Sequence, residues 1–511
     1  MLILEAKDIR HDVQGKEILN VDHIQIQKGE RIGVVGKNGS GKTTLLNILS
    51  GNVEPHQGTV TTEVSRLLLP QLKRMDTTKS GGEITQQFIN EALGKKADLL
   101  FADEPTTNLD TNHIEMLEKQ LKRYAGAIVL VSHDRSFLDS LCTKIWEIKD
   151  SKVTVYPGNY SDYVDQREIE INQQQEAYEQ YQAKKRQLEN AIGQKKEKAA
   201  RASKSPRNPY YAKKQKKLEK TAKSIKTRIE KLEKVEKVKE EPPLSIDIVG
   251  NEKLKNRMII RIEELEGKIG QRKLWDKTSF HITAGDKLAI IGDNGTGKST
   301  FIKKLLKEDT NIQLSPALKI GYFSQNLDIL DEDKTILDNV EKTSNHEKAL
   351  IRTVLARLHF FEDDVNKKVH VLSGGERVKV AFAKIFLSEI NTIILDEPTN
   401  FLDIEAVEAL EKLLIEYDGT IIFVSHDRRF VERIANRLLI IRNKRMELFE
   451  GTYKEYTNLV SEQNETDIKT EELMVIETKI TEILSRLSME PTPELEEEFQ
   501  MLLKQRRKLQ S

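Results

Sequence analysis

Two glycine-rich segments in this 511-residue chain carry residues whose types and spacing can hold a polyphosphate. GKNGSGKTT runs from Gly36 to Thr44, and GDNGTGKST runs from Gly292 to Thr300. Each follows a short apolar run (ERIGVVG, DKLAIIG) and precedes a stretch with helical spacing (TLLNILSG, TFIKKLL). In the pattern G-x-x-x-x-G-K-[ST], glycines let backbone N–H groups wrap phosphate oxygens, the lysine neutralises terminal-phosphate charge, and the hydroxyl binds Mg²⁺. Gly36, Asn38, Gly39, Gly41, Lys42, Thr43 and Thr44 are the candidate nucleotide-binding residues of the first copy. Gly292, Asn294, Gly295, Gly297, Lys298, Ser299 and Thr300 are those of the second. A chance glycine turn would not recur with the same strand before it and helix after it.

Carboxylates and histidines recur with the same logic. Asp103 and Asp396 end the apolar runs LLFAD and TIILD, so each carboxylate is expected at the sheet edge facing a phosphate loop, where it can hold Mg²⁺ through water. Glu104 and Glu397 follow directly and are the candidates to polarise an attacking water. His133 and His426 follow a second apolar run and are placed to sense the terminal phosphate. An isolated Ser-His-Asp would carry no such meaning, but here it repeats at the offset of 293 that also relates the two glutamates. Gln71 and Gln325, each after a strand-like run, are weaker candidates for reporting Mg²⁺ to an adjacent segment. Ser80, Gly81, Gly82 and Glu83, and Ser373, Gly374, Gly375 and Glu376, offer backbone donors at a helix start, an anion site. Neither set lies close in sequence to its own phosphate loop, which leaves room for action on the partner copy.

The elements that must position these groups form a long-period duplication. VSHDRSF (Val131–Phe137) matches VSHDRRF (Val424–Phe430), and GNYSDY and GTYKEY, from Gly158 and Gly451, close the copies. Lys42 to Lys298 is 256 positions, but Glu104 to Glu397 is 293. The difference falls after the glutamine: 9 positions separate Gln71 from Ser80, against 48 from Gln325 to Ser373. The first copy therefore lacks most of an insertion that the second keeps. Short buried runs alternating with charged amphipathic stretches predict an α/β fold with a mainly parallel sheet in each copy.

Between the copies, Tyr178, Tyr181, Leu188 and Ile192 on one side and Leu218, Ala222, Ile225, Ile229 and Leu232 on the other mark narrow apolar seams. They predict two helices paired as an antiparallel coiled coil. The first arm begins after Tyr163 and reaches about 57 Å. SKSPRNPYY, Ser203–Tyr211, contains two prolines and turns the chain; Arg207, Tyr210 and Tyr211 are its candidate contact residues. A further helical hairpin is expected from about Glu465, broken at Pro491 and Pro493 with Thr492 as a cap. The resulting division is 1–160, first nucleotide-binding domain; 161–245, basic helical hairpin with its tip near 203–211; 246–460, second nucleotide-binding domain; and 461–511, C-terminal helical extension.

Charge is distributed unevenly. The whole chain has 82 basic and 82 acidic residues, yet Lys184–Lys237 has 20 basic against 6 acidic, a local excess of +14 that leaves −14 elsewhere. This points to a polyanionic partner at the joint. Cys142 is the only cysteine, so internal disulfides and cysteine-rich zinc sites are excluded, and a reducing cytoplasm fits. No run is long and apolar enough for a membrane helix, and the N-terminal residues lack a secretory pattern.

In this order, Walker A, Q-loop, SGGE signature, Walker B with its glutamate and the histidine switch resemble the ATP-binding cassette superfamily. Two cassettes without membrane spans, with SHDR-x-F in both, look like the ABC-F subfamily of translation factors. The short first-copy insertion, the basic hairpin and the C-terminal hairpin resemble its antibiotic-resistance members, which protect ribosomes against lincosamides, pleuromutilins and streptogramin A. The resemblance covers nearly the whole chain. It implies ATP with Mg²⁺, bound by a cassette pair closing head to tail within one monomer. Each phosphate loop would then face the other copy's SGGE. It also implies ATP hydrolysis coupled to ribosome release. The hairpin would enter the E site of the 70S ribosome, touch 23S rRNA and P-site tRNA, and promote drug release from the peptidyl-transferase centre. No DNA or membrane partner is implied. Lys79 in place of Leu372, the lack of a counterpart to Arg377, and Thr107 in place of Asn400 imply unequal ATP sites. Neither copy has an aromatic at the usual adenine position, and His11 is a candidate substitute in the first. A housekeeping ABC-F factor and the ATPase subunit of a drug exporter are the competing readings.

Overall fold

The computed structural model describes residues 1–13, 15–69, 94, 97–107, 109–203, 217, 220–221, 223–227, 257–307, 309–324, 329–358, 360–400, 402–489 and 492–510. The chain divides into two compact units. One comprises Met1–Asn108, His113–Ser245 and Asp403–Glu405, the other Leu109–Asn112, Ile246–Leu402 and Ala406–Ser511.

In the first unit, β1 (Leu2–Val13), β2 (Lys16–Gln27) and β4 (Gln57–Thr62) form an antiparallel sheet in the order β2-β1-β4. A six-stranded sheet is built from β3 (Arg31–Gly36), β5 (Arg66–Leu69), β6 (Leu99–Asp103), β7 (Ala127–Val131), β8 (Lys144–Lys149) and β9 (Lys152–Pro157). Its order is β5-β6-β7-β3-β8-β9, parallel except for the last pair. All five residues of β6 and of β7 are buried. That is why these strands read as continuous apolar runs: a parallel sheet is covered on both faces. Ile32, Val34, Leu45, Leu49, Phe101, Val129 and Trp146 share one core with the inner face of the antiparallel sheet. Helices α1 (Lys42–Ser50), α2 (Thr111–Arg123) and α3 (Arg135–Leu141) follow β3, β6 and β7.

Helix α4 (Tyr160–Ser203) is a single helix of 44 residues, about 66 Å long at about 1.5 Å per residue. It starts three residues before the end of GNYSDY, earlier than the seam alone indicates, because its first turns dock on the cassette. Tyr178, Tyr181, Leu188 and Ile192 lie on a half-buried stripe among exposed neighbours. Helical structure recurs at 223–227, which includes the half-buried Ile225. Leu218, Ala222, Ile229, Leu232 and the turn at 204–211 lie outside the described residues.

The second unit repeats the plan. β10 (Met258–Ile269), β11 (Arg272–Thr283) and β13 (Ile312–Leu314) form the sheet β11-β10-β13. β12 (Lys287–Gly292), β14 (Ile320–Phe323), β15 (Thr392–Asp396), β16 (Thr420–Val424), β17 (Arg437–Arg442) and β18 (Arg445–Phe449) form β14-β15-β16-β12-β17-β18. Helix α5 (Lys298–Leu306) follows β12. The insertion read from the spacing is a helical layer: α6 (Ile336–Glu341), α7 (Lys348–Arg357), two 3₁₀ turns, and then α8 (Gly374–Phe386). Helices α9 (Ile404–Glu416) and α10 (Arg428–Ile434) complete the cassette.

The C-terminal hairpin differs from expectation at its start. α11 (Tyr453–Met489) is one helix that begins at the GTYKEY segment, and α12 (Pro493–Gln510) returns along it. Ile480, Ile483 and Leu502 form its core, with Ile476, Leu487, Leu495 and Phe499 packed around them. Thr492 accepts at its Oγ1 from the Leu495 N–H at 3.5 Å, the capping contact expected of it.

Candidate nucleotide sites

In the first unit, Gly36 ends β3 and Gly41 precedes α1. Gly41 has φ +99, and a Cβ there would meet Ile18 Cγ2 at 2.6 Å, so the close turn over β2 requires glycine. The Lys42 ammonium lies across its own loop, donating to the Gly36 carbonyl at 2.7 Å and the Lys37 carbonyl at 2.9 Å. Burial pushes its pKa down, against the pull of Glu104 and Asp103. Thr43 Oγ1 donates to Asp103 Oδ2 at 2.7 Å. The second unit reproduces each contact. Lys298 donates to the Gly292 and Asp293 carbonyls at 2.8 and 3.0 Å, and Ser299 Oγ donates to Asp396 at 3.2 Å. Asn38 and Gly39, and Asn294 and Gly295, lie in the two loops, with Thr44 and Thr300 in the helices behind them.

These residues fit a Mg²⁺-nucleotide. Each site offers a glycine-built loop at a helix start, a buried ammonium, and a hydroxyl beside a carboxylate, which are the hard oxygen donors Mg²⁺ takes. Thr43 with Asp103, and Ser299 with Asp396, would hold the ion.

Glu104 and Glu397 each adopt φ +52, a conformation rare for a residue with a side chain. Such backbone costs about 1–3 kcal/mol and collects at functional sites. It is held by the Glu104 N–H donating to the Val131 carbonyl at 2.9 Å, and by Glu397 N–H to Val424 at 3.0 Å. His133 closes on Glu104 from two sides. Its backbone N–H donates to Oε2 at 3.3 Å, and its ring Nε2 lies 3.2 Å from Oε1. His426 Nε2 lies 3.3 Å from Glu397 Oε1.

Burial, reinforced by Asp103 next door, pushes Glu104 up to about 8; burial against the opposing pull of Lys298 leaves Glu397 at about 7. Burial, with the lysine of the loop second, drives His133 down to about 4 and His426 to about 3. Near neutral pH without nucleotide, the Glu104 pair is therefore a protonated carboxyl and a neutral imidazole. Burial thus disfavours charge on both groups. Glu104 Oε1 is buried without a hydrogen-bond partner.

Ser373 caps α8 in a reciprocal box: its Oγ accepts from the Glu376 N–H at 3.3 Å, and its own N–H donates to Glu376 Oε2 at 2.8 Å. Gly374 and Gly375 form the first turn. Arg377, which has no first-copy counterpart, braces the preceding turn through the Leu372 and His370 carbonyls and Glu332. Gln71, Ser80, Gly81, Gly82, Glu83, Gln325, Arg207, Tyr210 and Tyr211 lie outside the described residues. His11 stacks on His56 at a centroid distance of 4.3 Å and 23° between planes.

The sequence patterns point to no role for Thr106 and Ser132, whose hydroxyls meet at 3.1 Å, or for Thr399 and Ser425 at 3.4 Å. The signal was present, since both pairs recur at the 293 offset.

Comparison with known proteins agrees with this architecture. A family model described as "ABC transporter" matches residues 19–77 and 275–400, and a second with the same description matches 146–246. The ribosome protection protein VmlR of Bacillus subtilis is 32% identical, over 99% of this chain and 98% of its own length. The chain belongs to the ABC-F group of ATP-binding cassette proteins. A putative ATP-binding protein, YdiF, also of Bacillus subtilis, is 30% identical over 91% of this chain and 84% of its own. Among solved structures, the archaeal ribosome recycling factor aABCE1, in complex with the stalk protein aP1, aligns with a TM-score of 0.60. It is 18% identical and the match covers 89% of this chain and 92% of that one. That likeness concerns the tandem-cassette fold. Among the described residues, no helix is long and apolar enough to cross a membrane.

Proposed function

We propose that this protein is an ATP-driven ribosome protection factor. Its two cassettes bind and hydrolyse ATP with Mg²⁺. Its interdomain hairpin enters the E site of the 70S ribosome, contacts 23S rRNA and P-site tRNA, and promotes release of antibiotics from the peptidyl-transferase centre. The observation that carries this reading is the continuation of the first cassette into the 44-residue α4, whose distal part opens the segment of +14 net charge. A helical arm of about 66 Å that turns basic in its distal part suits a deep RNA channel, and phosphate contacts there supply affinity without sequence preference. The near full-length likeness to VmlR supports the same reading.

Lys42 and Lys298 hold the terminal phosphates, and Thr43, Asp103, Ser299 and Asp396, with Gln71 and Gln325, hold Mg²⁺. Glu104 and Glu397 polarise the attacking water, and His133 and His426, which lie against those glutamates, sense the terminal phosphate. Ser80–Glu83 and Ser373–Glu376 contribute helix-start donors to phosphate. Arg207, Tyr210 and Tyr211 form the working tip.

The test is translation in a purified system with lincosamides, pleuromutilins and streptogramin A, with and without the protein. Restored synthesis that depends on ATP is the expected result. Unchanged inhibition across the panel, with stimulation of stalled ribosomes, would replace this reading by a housekeeping translation role.

A further inference from the structure

The root of α4 is held by a buried polar cluster that the second cassette lacks. Glu147, on β8, is 7% exposed. Tyr163 Oη of α4 donates to its Oε1 at 3.1 Å, and Arg167 Nη2 of α4 lies 3.2 Å from the same oxygen. Tyr156 Oη of β9 lies 3.4 Å from Glu147 Oε2 and 3.0 Å from Glu170 of α4, which Arg167 also meets at 3.3 Å. The rings of Tyr156 and Tyr163 meet edge to face at 5.1 Å.

The duplication supplies an internal control. By strand register and by the matched GNYSDY and GTYKEY segments, Glu147 corresponds to Ile440, Tyr156 to Phe449, Tyr163 to Tyr456 and Arg167 to Val460. The edge-to-face ring pair is kept, Phe449 on Tyr456 at 5.6 Å, while the counterparts of Glu147 and Arg167 are aliphatic and that of Glu170 is the uncharged Gln463. Apolar contacts at these positions therefore suffice to seat a long helix on this sheet, and the polar cluster must serve another end. Buried ionic groups stabilise little over apolar replacements, but they accept only a narrow set of geometries.

This root is also joined to the first nucleotide site through two short routes. Ile148, next to Glu147 on β8, pairs with Gly36 of the phosphate loop, and a Cβ on Gly36 would meet its carbonyl oxygen at 2.6 Å. The Ser161 N–H in the first turn of α4 donates to Asp139 at 2.7 Å. Asp139 lies on α3, the helix that starts two residues after His133. The same helix root thus touches the strand beside the loop and the helix behind the histidine.

We propose that Glu147, through Tyr163 and Arg167, is the positioning residue that sets the angle of the α4 arm and ties it to the state of the first nucleotide site. The ribosomal consequence rests on the function proposed above; the geometric one does not. The experiment grafts the second cassette's residues onto the first: Glu147→Ile, Tyr156→Phe and Arg167→Val together, with Tyr163→Phe as a separate, milder variant. Spin labels at Lys152→Cys on β9 and Gln173→Cys on α4 report the arm angle. The graft is expected to keep the thermal midpoint and ribosome-free ATP turnover, to broaden the label distance distribution, and to remove its change on adding ATP. Drug protection should fall by about 2- to 30-fold, the range of such coupling changes. Tyr163→Phe should broaden the distances less. Distances as sharp and as ATP-responsive as wild type in both variants would overturn the proposal, whether or not the graft protects ribosomes. If wild-type protein gives no protection, the function proposed above fails while the distances still decide the role of Glu147.

Discussion

His133 grips Glu104 twice, by its backbone N–H at 3.3 Å to one carboxyl oxygen and by its ring nitrogen at 3.2 Å to the other. Glu104 itself takes a left-handed backbone, φ +52. The glutamate is thereby aimed rather than free to swing. Replacing it by glutamine keeps the shape and removes the base. Glu104→Gln with Glu397→Gln should lower ATP turnover by about 10²- to 10⁴-fold, the usual contribution of a positioned base. ATP should then be retained on the protein, measured by filter binding of labelled nucleotide. Wild-type turnover in the double variant would remove both glutamates from the reaction.

The Thr43–Asp103 and Ser299–Asp396 bonds differ in length, 2.7 against 3.2 Å. Thr43→Val deletes one oxygen without changing shape. The Mg²⁺ concentration for half-maximal turnover should rise about tenfold, as for loss of ~1.4 kcal/mol of binding. Metal-free nucleotide binding should change less. Equal losses with and without Mg²⁺ would mean that the hydroxyl supports the loop and does not hold the ion.

His133 has a folded-state pKa of about 4, below the ordinary value of 6.5, so the unfolded chain binds its proton first as pH falls. Stability from this group is complete above about pH 6.5 and declines towards pH 4, by on the order of 3 kcal/mol at most. His426, at about 3, acts in the same direction over a wider window. Glu104 and Glu397, raised to about 8 and about 7, act in the opposite direction down to about pH 4.5, so the histidine contribution is read as the difference between wild type and a histidine variant. As pH falls across that window, the denaturation midpoint of a nucleotide-free His133→Asn, His426→Asn variant should drop less than that of wild type. Parallel curves for the two proteins would contradict the shifts.

Tyr210→Ala with Tyr211→Ala should impair protection and spare ribosome binding, because the flanking charge supplies affinity and the tip supplies action. Ribosome binding itself should weaken steeply with salt, as phosphate contacts do. Intact protection in the tyrosine variant would make those rings structural.

Much of this was legible in one dimension. Phosphate loops, strand-end carboxylates and the tandem repeat are local patterns, because backbone geometry around a polyphosphate demands particular residues within about ten positions. The helical arm and tail were legible from their apolar spacing, although both helices start earlier than that spacing shows. The first turns of α4 and α11 pack their tyrosines on a sheet, Tyr163 on Tyr156 and Tyr456 on Phe449, which periodicity along the helix does not encode.

Three things only the tertiary structure decided. Glu104 and Glu397 take up left-handed backbone, which nothing in their residue type favours. Their carboxyls are pushed up and the adjacent imidazoles down in pKa by burial, a property of everything packed around them. Glu147 looked like one more charge in an alternating strand, yet it is the acceptor for two side chains of the arm. Sequence patterns report chemistry that neighbours in the chain must share. Protonation and the seating of a long helix depend on residues brought together from distant positions, and those the chain specifies only once it has folded.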